Sequence, residues 1–310
     1  MRNGSAIEGS VKRVHGYKTV VLNSVWKGVP GMKAVHSNWT LPRRAAAGIY
    51  FSEDFDLLTT ILSALKWREK NGTIKMMTDR TGLEYYRERD MCGIWDEIGT
   101  ELDDIPSTID PKTFWAAGKL YSLKYSGTPA VIMDTDFIVW DGIAFDNLGE
   151  LAVIHDEDIY PDVYPDIGHF NMRQGYIFDP ELDWRVRPAN TAFYYIKNEA
   201  LAKRYTDEAI RFMENSVNGD GLTYMVFAEQ RLLSMTARLM GVDMYVISTL
   251  DRLFRDGERW FTHTWGMKQQ MRDNTALRAD FCRRCIRRII SDFPDYEGML
   301  RGIEELRPYF

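Results

Sequence analysis

The sequence predicts an α/β fold in which a mainly parallel sheet is covered by helices on both faces. Short apolar stretches of strand length alternate along the chain with longer stretches of helical periodicity. Polar residues that can cap or stop a helix stand at the ends of the longer stretches. Because parallel strands need crossover connections, this alternation is typical of a sheet that is buried on both sides. Ligands of such sheets bind beyond the carboxyl ends of the strands.

The first half of the chain contains two predicted strands and three predicted helices. The strands are residues 18–26 and 74–77, and Asp79 follows the second of them. One helix begins after Ser52 and ends at Asn71-Gly72. The others cover residues 82–90 and 110–127, the latter beginning at Asp110-Pro111 with a capping carboxylate and a proline in its first turn.

The second half continues the alternation. Residues 129–141 form an apolar strand that two aspartates interrupt, and residues 151–155, 191–196 and 244–248 are further predicted strands. Asn198 is the predicted cap of a helix that reaches residue 215, and another helix covers residues 222–240. We expect a flexible arm over residues 1–17, a catalytic core over 18–250, and a C-terminal extension over 251–310 with an amphipathic helix.

Composition narrows the classes of function. The net charge is −6, from 39 basic and 45 acidic residues, which gives no reason to expect a nucleic-acid partner. Three cysteines are too few for a disulfide framework and favour a reducing compartment. The first residues lack an apolar signal-peptide core, and no apolar run is long enough to span a bilayer. We therefore expect a cytoplasmic protein.

Asp134 and Asp136 stand where the apolar stretch Ala130-Val131-Ile132-Met133 ends. In extended backbone, side chains two residues apart point to the same side, so the two carboxylates repel unless a cation lies between them. A divalent cation with oxygen ligands suits this pair and keeps positions free for phosphate oxygens. The alternative is a pair of solvated carboxylates where a strand leaves the sheet.

The segment VIMDTDFIVWDG, residues 131–142, resembles the metal-binding strand of nucleotide-sugar glycosyltransferases of the GT-A fold, with their Asp-x-Asp motif. The resemblance is strongest to glycosyltransferase family 8 and to related bacterial capsule and lipopolysaccharide enzymes. It extends in order over about residues 18–268. It implies an α/β GT-A fold with a C-terminal helical extension, a bound Mn²⁺ or Mg²⁺, and a nucleoside diphosphate sugar as donor.

The resemblance also assigns residues to the metal and to the diphosphate. His263-Thr264-Trp265-Gly266-Met267-Lys268 is similar to a His-x-x-Gly-x-x-Lys motif, in which the histidine is the third protein ligand of the metal. By this likeness Asp134, Asp136 and His263 bind the ion, and Lys268 meets the diphosphate, although it lies one residue nearer the histidine than in the motif. The alternatives are a histidine bonded to backbone and a solvated loop lysine.

Other motifs concern the donor sugar. WAAGKLYSL, residues 115–123, resembles the helix that carries a basic residue to the donor, which places Lys119 in that role. Asn190 and the pair Glu229-Gln230 resemble residues that line the reacting centre. Glu229 replaces an aspartate, and Thr191-Ala192 lacks a glycine of the pattern. A surface pair on a helix is the alternative for Glu229 and Gln230.

Asn23 and Asp79 follow predicted strands, where a uridine base or ribose would be contacted. A cap or turn role is an equal alternative for each of them. The segment HDEDIYPDVYPDIG, residues 155–168, combines acids with tyrosines, and it is either a platform for an acceptor sugar or a mobile surface loop.

Cys282 and Cys285 have the spacing of a metal or redox pair, but they share an apolar stripe at helical spacing and are therefore predicted to be core cysteines. Arginines lie opposite this stripe in residues 278–290. Such a helix either contacts an anionic membrane surface, which would place the protein at the inner face of the membrane, or packs its stripe on the domain.

The combined prediction is a hexosyltransferase that moves a sugar, from a donor that is most simply UDP-linked, to a glycan or glycolipid acceptor. Two alternatives stay open. One is a sugar-nucleotide-binding scaffold or sensor without turnover, and the other is a transferase that glycosylates a protein.

Overall fold

The computed structural model describes residues 10–14, 17–21, 31–253 and 257–310 of the 310-residue chain. Its strands are β1 Ser10–Val14, β2 Tyr17–Val21, β3 Ala34–Asn38, β4 Ile74–Thr78, β5 Glu97–Gly99, β6 Ala130–Met133, β7 Phe137–Val139, β8 Leu151–Val153, β9 Phe193–Ile196, β10 Met244–Val246 and β11 Phe261–His263. Its helices are α1 Leu41–Ala47, α2 Asp54–Lys70, α3 Arg80–Glu88, α4 Ala117–Ser126, α5 Glu199–Asn215, α6 Thr223–Val226, α7 Leu232–Leu239, α8 Lys268–Asp273, α9 Thr275–Asp292 and α10 Glu297–Gly302.

Nine strands form one sheet in the order β1-β2-β5-β4-β3-β6-β9-β8-β10. The central strands β5, β4, β3 and β6 are parallel, whereas β9 runs antiparallel to both β6 and β8. A separate two-stranded ribbon pairs β7 with β11. The predicted α/β class, with a mostly parallel central sheet flanked by helices, is confirmed.

Helices cover the sheet on both sides and create two buried layers. One layer contains α2, α9 and the residues around Trp67 and Trp95, and the other contains α4, α5 and α7. Almost every side chain of α2 is buried, because this helix lies between the sheet and α9. Burial of apolar surface on both sides is the main stabilising contribution to such a three-layer arrangement.

Several sequence-based boundaries are correct and have clear local causes. Asn198 accepts a hydrogen bond from the Leu201 amide and caps α5 as predicted. Asn71 follows the last residue of α2, where the helix was predicted to stop. The stripe that contains Cys282 and Cys285 is buried, and burial raises the pKa of both thiols, that of Cys285 to about 12. The prediction of core cysteines is confirmed.

Other predictions differ from the structure or agree with it only in part. The helix predicted from Asp110-Pro111 begins only at Ala117. The Asp110 carboxylate accepts hydrogen bonds from Lys112 and Thr113, as a cap does, but the turn that it closes does not continue as a helix. The central strand β3, AVHSN, was missed because His and Ser interrupt its apolar character. The strand predicted at residues 18–26 coincides with β2 only over its first residues, and 22–30 lie outside the described residues. Strand β1 lies within the predicted flexible arm of residues 1–17.

The apolar stripe of helix α9 packs into the core. Packing on the domain was one of the two alternatives that the sequence left open for this helix, the other being contact with a membrane. Arg278 forms an ion pair with Asp54 of α2, with 2.8 Å between Nε and Oδ1. The apolar face of α9 is therefore not available to a membrane. Across the described residues, no helix has the length and apolar character that crossing a bilayer requires.

His36 connects the sheet to the ribbon through a buried chain of hydrogen bonds. Trp95 Nε1 donates to His36 Nδ1 over 3.1 Å, so the ring hydrogen is on Nε2, which lies 2.9 Å from Ser63 Oγ. Ser63 in turn donates to the Phe137 carbonyl over 2.5 Å. Burial lowers the pKa of His36 to about 3, because a charged imidazole would lose its hydration there.

We predict that His36 makes the native state sensitive to mild acid. Between pH 6.5 and about 3 the unfolded chain binds a proton at this residue and the native protein does not, so the free energy of unfolding falls as pH falls. From pH 7 to pH 5 this residue accounts for a loss of about 2 kcal/mol. Urea unfolding at both pH values measures the loss. His36→Gln, which cannot titrate, should show a pH dependence smaller by that amount, and equal pH dependence in both proteins would contradict the assignment.

Candidate active site

Strand β6 delivers Asp134 and Asp136 to the carboxyl end of the parallel strands. The Asp134 amide donates to the Ala192 carbonyl over 2.7 Å, which extends the pairing with β9 by one residue. The Phe137 amide donates to the Asp134 carbonyl over 3.0 Å and closes a tight turn. The two carboxylates therefore leave the sheet on one side of this turn. The Asp134 side chain is 31% exposed and that of Asp136 is 6% exposed.

The β7–β11 ribbon brings His263 to the same point. In its register His263 lies opposite Phe137, the residue directly after Asp136. His263 Nε2 is 3.8 Å from Asp134 Oδ2 and 3.7 Å from Asp136 Oδ1. One ligand atom from each of the three residues lies within 4.8 Å of the others. The structure thus brings together the three residues that the sequence predicted to share an ion.

This donor set fits a divalent cation such as Mn²⁺ or Mg²⁺. Two carboxylate oxygens and one imidazole nitrogen are suitable ligands, and three protein ligands leave coordination positions for other oxygens. Burial would raise the pKa of Asp136, but the charges of Lys268 and His263 and hydrogen bonds from Lys268 and Thr264 outweigh it and hold this pKa below its ordinary value. The carboxylate is therefore ionised, as a metal ligand must be.

Lys268, the first residue of α8, compensates the charge of Asp136. Its Nζ lies 2.9 Å from Asp136 Oδ2 and 3.0 Å from Asp56 Oδ1. Burial lowers the pKa of Lys268, but the two carboxylates outweigh burial and raise it. Thr264 donates to Asp136 Oδ2 over 3.1 Å. The contributions of Asp56 and Thr264 were missed by the sequence analysis, since Thr264 occupies a variable position of the motif at residues 263–268 and Asp56 lies outside the quoted motifs.

Lys119 of α4 compensates the charge of Asp134, as Lys268 compensates that of Asp136. Its buried ammonium donates to Asp134 Oδ1 over 2.7 Å and to the Thr191 carbonyl over 3.1 Å, and it forms an ion pair with Glu229. Burial alone would lower the pKa of Lys119, but Asp134 and Glu229 raise it above its ordinary value. A lysine ammonium has three N–H donors. Lys119 therefore connects Asp134 and Asp136, which we call the acidic cluster, with Thr191 and Glu229.

Glu229 and Gln230 lie in a π-helical turn, Phe227–Arg231, between α6 and α7. Such turns are frequent at functional sites because the extra residue redirects side chains. Glu229 is buried and accepts a hydrogen bond from Thr191 Oγ1 over 2.9 Å. Burial raises the pKa of Glu229, Lys119 opposes the rise, and Asp134 adds to it, with a net increase. The alternative of a surface pair is excluded for Glu229.

Asn190 and Gln230 are connected by two residues of the acidic segment 155–168. Glu157 accepts from Asn190 Nδ2 over 3.1 Å and from the Tyr164 hydroxyl over 2.7 Å. The same hydroxyl lies 2.6 Å from Gln230 Oε1. Glu157 and Tyr164 thus belong to the cluster that the sequence assigned to Asn190 and Gln230 alone. The signal available in the sequence was the unusual density of acids and tyrosines in this segment.

Buried Arg231 fixes the same segment. Its guanidinium donates to the carbonyls of Tyr164 over 3.0 Å, Pro165 over 2.8 Å and Trp184. Arg187 pairs with both Asp156 and Asp158. Arg231 and Arg187 thus anchor parts of this segment to the rest of the domain.

Asp79 is not among the residues that contact Asp134 or Asp136. Its carboxylate caps α3 by accepting from the Gly82 amide over 2.9 Å, and it accepts from the amide and hydroxyl of Thr40 as well. At 2% exposure it has the cap role rather than the predicted contact with a nucleotide. Asn23, the other residue proposed for that contact, lies outside the described residues.

A cavity of about 610 Å³ lies beside the acidic cluster. Thr135 and Lys268 line one end of it, and Trp39, Arg43, Tyr50 and Tyr86 are among the residues lining the rest. Asn38 donates to the hydroxyls of both tyrosines, over 2.8 and 2.7 Å. The volume of the cavity is within the usual range of small-molecule sites. The sequence analysis did not identify Asn38 and Trp39, at the end of β3, because β3 itself was missed.

Comparison with known proteins gives three findings. The model of DUF6734, described as a family of unknown function, matches residues 32–296. No curated protein matches the sequence. Among solved structures, the chain is similar to PaToxG glycosyltransferase, with 11% identity and a TM-score of 0.38 over 69% of this chain and 72% of that chain. It is also similar to the apo form of mouse xyloside xylosyltransferase 1, with 8% identity and a TM-score of 0.38 over 70% of this chain and 84% of that chain.

We predict opposite effects of Lys268→Met on two ligands. The substitution removes the cation that competes with a metal for Asp136, so the Kd for Mn²⁺ alone should fall about tenfold. It also removes a donor to phosphate, so the Kd for a nucleoside diphosphate in the presence of Mn²⁺ should rise. Isothermal titration calorimetry measures both. Lys203→Met, which removes a 77% exposed lysine on α5, is the control and should change neither. Parallel changes of the two constants would contradict this arrangement.

Proposed function

The chain belongs to DUF6734, a family of unknown function, and we propose that it is a metal-dependent glycosyltransferase that uses a nucleoside diphosphate sugar. The observation that carries the proposal is the convergence of Asp134, Asp136 and His263, which we call the metal-ligand set, beside the 610 Å³ cavity, which we call the donor cavity. Lys119 and Lys268 lie next to this set, and a metal ion held there suits the departure of a diphosphate.

Each group has a proposed task in binding the donor. The nucleoside occupies the donor cavity, where Trp39 and Tyr50 offer aromatic surface and Arg43 offers a charge. Its diphosphate extends to Thr135 and Lys268, which line the same cavity. Lys268 exchanges its contact with Asp136 for a charge-assisted hydrogen bond to a phosphate oxygen. A bound Mn²⁺ or Mg²⁺ supplies charge stabilisation to the departing diphosphate.

The sugar is placed on the side of Lys119, Asn190 and Glu229. In the reaction the anomeric carbon loses its bond to the diphosphate oxygen and gains a bond to an acceptor oxygen, whose hydroxyl proton is released. Glu229 and Asn190 lie beside the positive charge that develops on the sugar. Fixed dipoles and charges at such a point lower the barrier because they need no rearrangement during the reaction. A hexose donor, most simply a UDP-sugar, and a glycan or glycolipid acceptor belong to this proposal.

A panel of nucleotide sugars with and without Mn²⁺ tests the donor. A ligand that binds the native state raises its stability by mass action, so the true donor should raise Tm most, and only with the metal. Labelled donor then distinguishes an enzyme from a binding protein. Hydrolysis or transfer of the sugar supports the transferase, whereas binding without either outcome would favour the scaffold or sensor.

We predict that Asp136→Ala abolishes sugar transfer while the protein stays folded. Loss of one principal ligand of a catalytic metal removes several kcal/mol of transition-state stabilisation, which is a rate decrease of about a thousandfold or more. Donor turnover at saturating Mn²⁺ measures the effect, and circular dichroism verifies the fold. Asp141→Ala, which removes an acid that follows β7 and lines no part of the donor cavity, is the matched control. Near-normal turnover in Asp136→Ala would refute the role of the metal.

A further inference from the structure

A second cavity, of about 410 Å³, lies along the edge of β11 that does not pair with β7. It shares no lining residue with the donor cavity, yet it reaches the metal-ligand set through His263. Ile154, Phe261 and Met267 form its apolar part. The acidic cluster therefore separates two cavities, one of which contains Thr135 and Lys268, and the other His263.

His155 gives this second cavity a defined hydrogen-bond acceptor. It follows β8, is 4% exposed, and its Nδ1 lies 3.2 Å from the Asp156 carbonyl oxygen. Because a carbonyl only accepts, the ring hydrogen is on Nδ1 and Nε2 retains its lone pair. No group in the described parts of the chain forms a hydrogen bond with Nε2. Burial lowers the pKa of His155, which keeps the ring neutral near neutral pH.

Trp265 provides a flat surface at the same cavity. Its side chain is 61% exposed, which is unusual for the largest apolar residue. The ring is nearly parallel to that of His263, with 17° between the planes and 6.3 Å between the centroids. It is thus held beside the metal-ligand set and still presents apolar area to a ligand.

The polar groups that line the second cavity are either neutral or already paired. The Glu258 carboxylate accepts from Ser248 Oγ over 2.7 Å and from the Arg259 amide over 2.9 Å, so both of its oxygens have partners. Gln270 contributes a neutral amide. The second cavity thus offers an aromatic surface, a neutral nitrogen acceptor and an amide. These groups suit a neutral ligand that has one apolar face and hydroxyl groups at its edge, and they do not suit an ionic ligand.

We propose that the second cavity binds the acceptor and that the acceptor group is a neutral pyranose. This inference rests on the proposed glycosyl transfer. The sugar packs its C–H face on Trp265, donates a hydroxyl hydrogen to His155 Nε2, and bonds the Gln270 amide with another hydroxyl. The Asn190 amide donates to the His155 carbonyl over 2.8 Å, so an acceptor hydroxyl that enters beside His155 reaches the side of the site proposed for the donor sugar.

The test uses the full chain with Mn²⁺, its donor and a panel of para-nitrophenyl pyranosides as acceptors. Trp265→Ala should raise the KM for the best pyranoside about tenfold, the value of a lost aromatic contact, with less than a twofold change in the KM for the donor. Tyr245→Ala, which removes a 49% exposed aromatic side chain on β10 that lines neither cavity, is the control and should leave both constants unchanged.

His155 gives an independent second test. His155→Ala should raise the same acceptor KM, and His155→Gln should recover part of the loss because its amide oxygen accepts a hydrogen bond. An acceptor KM that stays within twofold of the wild-type value in both Trp265→Ala and His155→Ala would overturn the proposal. Donor hydrolysis without transfer to any pyranoside, or transfer only to a protein or peptide, would also overturn it. A wild-type protein that neither binds nor hydrolyses any nucleotide sugar would instead refute the proposed function itself.

Discussion

Charge compensation around Asp134 and Asp136 is the constraint on which the rest of the site depends. Two carboxylates at the end of a buried strand repel each other, and partial burial strengthens that repulsion. Lys119 and Lys268 each pair with one of them, over 2.7 and 2.9 Å. The lysines come from α4 and α8, which are separated by more than a hundred residues of chain. Both helices therefore contribute to holding the acidic pair together.

The ribbon of β7 and β11 fixes the geometry of this cluster. Phe137 stacks on Phe261 with 4.7 Å between ring centroids and on Phe193 with 5.4 Å, so the residue after Asp136 is anchored in the core. Its carbonyl accepts from Ser63 at the end of the hydrogen-bond chain from His36. Packed aromatic rings and a buried polar chain thus hold Asp134, Asp136 and His263 in a fixed arrangement, so the proposed binding of an ion would require little rearrangement.

The opposite side of the site depends on the segment that contains Glu157 and Tyr164. These two residues join Asn190 to Gln230, and Arg231 fixes the segment from beneath through backbone carbonyls. The π-helical turn places Glu229 toward Lys119 while Gln230 meets Tyr164. Glu229 and Gln230 are thus adjacent in sequence but contact different groups. Glu229 pairs with Lys119, which also pairs with Asp134, whereas Gln230 contacts Tyr164.

The sequence by itself determined the α/β class, the long helices, the buried cysteines and the grouping of Asp134, Asp136 and His263. These depend on local patterns: the Asn198 cap, the apolar stripe of α9, and the apolar stretch before Asp134. Tertiary structure alone decided that Asp56 holds Lys268, that Glu157 and Tyr164 connect Asn190 with Gln230, that Asp79 is a cap, and that β3 lies at the centre of the sheet. The physical reason is that these roles arise from contacts between side chains distant in the chain. In the same way, His36 makes β3 look polar until its buried partners Trp95 and Ser63 are known.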